Sequence, residues 1–83
     1  MYKVIVVKSA IKELSKLPSK ESLRLSEKIN ELKDDPRPPG CIKLTGRKDK
    51  YRIRVGNYRV LYTVEDTILV VHVIKVRNRK DIY

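Results

Sequence analysis

The chain has 83 residues, 41% of them hydrophobic, with no Trp and no Phe; that suffices for one domain with one modest core and not for two. A single Cys and a single His exclude an intrachain disulfide and leave no set of side chains suited to a metal cage, and no apolar run approaches the roughly 20 residues that span a bilayer. Twenty Lys and Arg oppose ten Asp and Glu, a formal net charge of +10.

The excess charge is uneven. Residues 1–41 carry nine basic and six acidic side chains, and residues 42–83 carry eleven and four. A basic half of a small domain is the electrostatic footprint of a polyanion partner, nucleic acid above all. The first residues, MYKVIVVKSA, lack the small-residue cleavage site of a signal peptide and read as a mature strand of a cytoplasmic protein.

The β-branched run YKVIVVK (2–8) predicts a strand that is apolar on both faces, hence internal or well covered. Ser9 is placed to cap a following helix in which Ala10, Ile11, Leu14 and Leu17 recur at helical spacing. Pro18 ends it, and Ser19 is the expected N-cap of a second helix whose Leu25, Ile29 and Leu32 form an i, i+4, i+7 stripe. The segment DDPRPPG (34–40) stops that helix. A short strand at CIKLTG, a polar turn at RKDK and three longer strands follow: YRIRV, YRVLYTV and TILVVHVIKV. The predicted architecture is α+β, in the order β-α-α-β-β-β-β, with an antiparallel helical hairpin on one face of a mostly antiparallel sheet.

Residues 51–60, YRIRVGNYRV, read as a hairpin about Gly56-Asn57. Tyr51, Ile53 and Val55 point one way, and Arg52 and Arg54 the other. A two-residue turn sets Val55 against Tyr58, Arg54 against Arg59 and Arg52 against Leu61. Opposed like charges destabilise a strand pair, so a row of arginines on the uncovered face reads as a phosphate cradle. If the Glu65-Asp66 turn is tight, Leu61 joins Ile68, Val70 and Ile74 on that face and His72 faces Arg59. Flanked by Val71 and Val73, His72 reads as a packed strand histidine before a catalytic one, and the adjacent cation disfavours its protonated form.

These residues carry a resemblance. The strand-helix order, the connector DPRPPGCIKLTG, the hairpin YRIRVGNYRVLYTV and the terminal VRNRKDIY resemble the RelE/ParE superfamily of toxins from type II toxin–antitoxin systems, on its RelE-like branch. The resemblance covers nearly the whole chain. It implies a metal-independent endoribonuclease without cofactor that cleaves messenger RNA in the ribosomal decoding site by attack of the 2′-OH. It implies three partners: mRNA, the ribosome and a cognate antitoxin with an acidic or amphipathic helical segment. Carried over position by position, Arg52, Arg54 and Arg59 hold and neutralise the scissile phosphate. Arg79 stabilises or protonates the leaving 5′-oxygen, and Tyr83 takes the 2′-OH proton or stacks on a base. Lys50, Arg77 and Lys80 flank these positions as RNA contacts.

Two departures from the family pattern matter chemically. Some members have Lys where this chain has Arg52 and Arg54, and Arg does not shed its proton. The general base is then Tyr83, whose phenol, ordinarily titrating near about 10, must be lowered by surrounding cations. Tyr83 is also the last residue, where some relatives continue into a helix. A ParE-like inhibitor of DNA gyrase without nuclease chemistry, and a catalytically degenerate domain that binds RNA or a partner, are the alternative readings.

Overall fold

The computed structural model describes residues 1–44, 46, 49–78 and 80. The elements are β1 (Lys3–Val6), α1 (Lys8–Ser15), α2 (Ser19–Glu31), β2 (Ile42–Lys43), β3 (Lys50–Val55), β4 (Tyr58–Glu65) and β5 (Val70–Asn78). They form one five-stranded sheet in the order β1-β5-β4-β3-β2. All pairings are antiparallel except β1 with β5, which is parallel. No described helix is long and apolar enough to cross a membrane.

The strand alternation decides where the core sits. Tyr51, Ile53, Val55, Val60, Tyr62, Val64, Val71, Val73 and Val76 are buried together with Ala10 of α1 and Leu25, Ile29 and Leu32 of the α2 region. The α2 stripe is thus the one its spacing predicts, and each of its three side chains contributes about 2 kcal/mol by leaving water. Both helices lie on this face of the sheet, and among the described residues the opposite face has no layer over it.

Four expectations need correction. β1 is an edge strand: Val4 and Val6 pack on the core, while Lys3 stays exposed. Its parallel register with β5 (Lys3 to Val70, Val6 to Val73) pairs one edge of the strand. Neither serine caps a helix. The N-cap of α1 is Val7 and that of α2 is Pro18, with no side-chain cap in either case, so Ser9 and Ser19 lie inside the first turns. Ile11 is 54% exposed, because Ala10 and Leu14 already take the buried face of so short a helix. The strand after the connector shrinks to Ile42–Lys43, and the polar turn that follows it falls partly outside the described residues.

Candidate nucleic-acid interface

The β3–β4 hairpin has the register its sequence dictates: Val55 opposes Tyr58, Arg54 opposes Arg59 and Arg52 opposes Leu61. Gly56 makes the turn with φ +60, the conformation that the first central residue of a type II′ hairpin requires. A Cβ there would sit 3.1 Å from Nη1 of Arg24, so the α2 guanidinium rests on the hairpin tip. Sequence reasoning did not single out Arg24.

The next strand adds a second layer of charge. Across β4–β5, Arg59 opposes Arg77 and Leu61 opposes Lys75. The backbone therefore lines up Arg54, Arg59 and Arg77 on three neighbouring strands. Behind them, Arg52, Leu61 and Lys75 form a parallel row. Lys50 sits opposite Thr63 one step further on. Arg54 is exposed, whereas Arg52 and Arg59 are half-buried. Nε of Arg52 is shielded from water and has no hydrogen-bond partner among the described residues.

A bulge produces this alignment. The β4–β5 register shifts between Leu61 and Tyr62, so that Tyr62 opposes Val73 while Leu61 opposes Lys75, and Ile74 is the extra residue. Val71, Val73 and Val76 can then all be buried despite the three-residue step between the last two. The same reset sends Arg77 to the arginine side.

The register also overturns the expected place of His72. The β4–β5 connection is not tight: residues 66–69 form it, with Leu69 at φ 54. Ile68 and Leu69 are exposed in the loop, 60% and 45% respectively, so Ile68 is not part of the strand face. His72 opposes Thr63 instead of Arg59 and has Ile5 on its other side. Its Nδ1 lies 3.9 Å from Oε1 of Glu65, at the end of the face away from the arginines.

The Arg77 guanidinium pairs with Oε2 of Glu13 on α1. Lys80 is exposed, and its backbone N–H donates to Oδ1 of Asn78 at 3.0 Å. Arg79 and Tyr83 lie outside the described residues.

A polar network at the other end of the sheet escaped sequence reasoning. Arg37, in the proline-rich connector, grips Asp66 through two hydrogen bonds of 2.8 and 3.2 Å. Its Nε donates to the Tyr51 hydroxyl at 3.0 Å, and its guanidinium lies 5.0 Å from the centre of that ring. Tyr2 donates to Asp66 at 2.5 Å. The Arg37 hydrogen bonds, then that of Tyr2, hold the Asp66 carboxyl below its usual value. Asp66 in turn raises the Tyr2 phenol and the Arg37 guanidinium. Next to this network the Tyr62 hydroxyl, buried and stacked on Tyr51 at 5.9 Å between centroids, donates to the Pro36 carbonyl at 2.8 Å. Burial, with Cys41 nearby, pushes that phenol well up. The network bolts the connector to the sheet and so fixes where β2 and β3 begin. Its members are far apart in sequence, so no motif announces it.

Fixed guanidinium groups on an open, water-accessible face can hold a phosphodiester and counter the charge that builds on it during cleavage. Among the described residues no three His, Cys, Asp or Glu side chains come together as a metal site.

The family described as ParE toxin of type II toxin–antitoxin systems matches residues 4–83. The chain belongs to the RelE/ParE toxin family. Within it the similarity runs to the RelE branch. A RelE-like toxin protein of Escherichia coli is 35% identical over 99% of this chain and 90% of its own length. Toxin RelE1 of Methanocaldococcus jannaschii is 31% identical over 99% and 94%. The RelE–RelB complex of Pyrococcus horikoshii superimposes with a TM-score of 0.86 at 34% identity, covering 98% of both chains. The isolated Escherichia coli RelE toxin does so with 0.81 at 35%, covering 94% of this chain and 84% of that one. This RelE-like toxin thus shares with the RelE structures the two-helix layer packed on a mostly antiparallel five-stranded sheet.

Proposed function

We propose that this RelE-like toxin is a metal-independent endoribonuclease that cleaves messenger RNA in the ribosomal decoding site. The observation that carries the reading is the arginine row: Arg54 opposes Arg59, and Arg52 opposes Leu61 beside them, on the sheet face away from the helices. A strand pair under selection for stability alone would avoid opposed like charges, and a phosphate between them turns the repulsion into binding. Arg52, Arg54 and Arg59 hold the scissile phosphate and stabilise the charge on its equatorial oxygens as the 2′-OH attacks. Arg79 serves the leaving 5′-oxygen, and Tyr83 accepts the 2′-OH proton. Lys50 and Lys80 hold the RNA backbone on either side, and Arg77 stands at the end of the arginine row.

The solved structures of RelE with RelB support a cognate antitoxin as partner for this chain too. An acidic or amphipathic helical segment complements a surface of this charge. A second reading is favoured by the family's own description as ParE toxin, namely inhibition of DNA gyrase by binding.

Ribosomes programmed with a defined message, mixed with the purified protein and mapped by primer extension, separate the two. Codon-restricted cuts that disappear in Arg79→Ala are the expected result. An intact message, together with stabilised gyrase–DNA breaks, overturns the nuclease reading.

A further inference from the structure

The row of three arginines ends on Arg77, whose guanidinium is held by a carboxylate of α1. β1 stops at Val6 and the chain enters α1 at Lys8, while β5 runs on to Asn78. The last backbone bond on that side joins the Val7 N–H to the Val73 carbonyl at 3.0 Å. Beyond it no backbone group pairs with that edge of β5 among the described residues, and Glu13, the only acidic residue of α1, fills the gap. Its Oε1 accepts the Val76 N–H at 2.9 Å, and its Oε2 pairs with Nη1 of Arg77. That same nitrogen donates to the Val76 carbonyl at 3.3 Å. The backbone aims Arg77 at the free face opposite Arg59, and the carboxylate bends its head group away.

We propose that Glu13 is an internal counter-ion that withholds Arg77 from RNA, so that Arg77 joins the row only when a phosphate displaces the carboxylate. The inference rests on reading the arginine face as an RNA-binding surface. Carboxylate and phosphate offer a guanidinium the same paired-oxygen geometry, so the exchange replaces one anion with another at an unchanged cation. The pair is partly exposed, with side-chain accessibilities of 31% and 25%, which keeps the bond weak enough to be displaced. Glu13 thereby lowers the affinity for RNA without touching it. Its second oxygen remains on the Val76 N–H, so the strand edge stays capped when Arg77 leaves.

Glu13→Gln tests this cleanly, because the amide oxygen still accepts from Val76 while the charge is gone. Binding of a fluorescent single-stranded RNA oligonucleotide is followed by anisotropy between about 50 and 300 mM salt. The expected result is about three- to tenfold tighter binding at the lowest salt and a plot of log K against log salt steeper by about 0.7, one added phosphate contact. Arg77→Gln alone changes little, and in the Glu13→Gln background it abolishes the gain; a merely structural role for Glu13 gives no such dependence on Arg77. Glu27→Gln, on the exposed side of α2, raises the net charge equally and leaves the slope unchanged. Wild-type binding that depends on salt, with the same slope in Glu13→Gln, overturns the inference and leaves the RNA reading intact. Wild-type protein with no salt-dependent RNA binding overturns the RNA reading itself and the inference with it. Thermal melting of Glu13→Gln accompanies the titration. Should that variant fail to fold, Arg77→Gln decides in its place: a slope loss of about 0.7 from wild type shows Arg77 already on the RNA and refutes the withholding.

Discussion

Replacing Arg54 with Thr should separate what the sheet needs from what the site needs. Arg54 is exposed and forms no ion pair among the described residues, and its cross-strand partner is Arg59. Directly opposed like charges destabilise a strand pair by about 0.2–1 kcal/mol, and Thr suits a strand at least as well as Arg. The substitution should therefore leave stability unchanged or raise it by up to about 1 kcal/mol. For a domain of 83 residues that is a Tm between unchanged and about 8 °C higher. The gain should vanish in about 1 M salt, where the screening length falls to about 3 Å. Cleavage should behave oppositely, because removing one preorganised donor to a developing oxyanion typically costs about 100- to 1,000-fold in rate. Circular-dichroism melts at two salt concentrations and single-turnover cleavage on programmed ribosomes measure both quantities on one preparation. A Tm lowered by more than about 4 °C would show that Arg54 holds the fold together. Cleavage within about threefold of wild type would remove Arg54 from the reacting phosphate. Either result refutes the assignment of roles to the two faces.

Three further outcomes follow from the packing. Tyr62→Phe keeps the stacked ring but leaves the Pro36 carbonyl without its buried donor, and calorimetry should record a loss of about 1–3 kcal/mol. Asp66→Asn should flatten the acid limb of the stability curve. The Asp66 carboxyl is held below its ordinary value of 3.8, so its contribution is complete above that value and fades as pH falls through the lower folded one. The wild-type and variant curves, read by urea titration, should converge in strong acid. Gly56→Ala forces a Cβ into a positive-φ turn and against the Arg24 guanidinium, which should lower stability by about 1 kcal/mol; an unchanged melt would mean that the turn relaxes to another type.

Much of this was legible because local rules determine it. The hairpin register follows from a two-residue turn and strict alternation, and it places Arg52, Arg54 and Arg59 on one face. The α2 stripe at Leu25, Ile29 and Leu32 is equally local. The register of β5 was not legible, because two non-local events set it. Leu69 adopts a positive φ that lengthens the turn, and the bulge at Leu61/Tyr62 answers the competing demands of Val73 and Val76 for burial. The longer turn alone carries His72 away from Arg59 and opposite Thr63. The edge position of β1 was hidden because an apolar strand beside a parallel partner has the same composition as an internal one. Likewise, nothing near Arg77 in the sequence announces Glu13, and nothing near Arg37 announces Asp66. Pairs that meet only through the fold leave no spacing signature.

The parallel pairing of β1 with β5 has a consequence in time. Lys3 waits for Val70, a partner made 67 residues later, so the first strand synthesised is completed by the last. The arginine hairpin can close as soon as it emerges, but the platform that holds it in place is unfinished until β5 is laid between β1 and β4. Contacts of such long sequence separation fold late. A growing chain therefore holds its arginine hairpin without a finished sheet until the residues of β5 have been added.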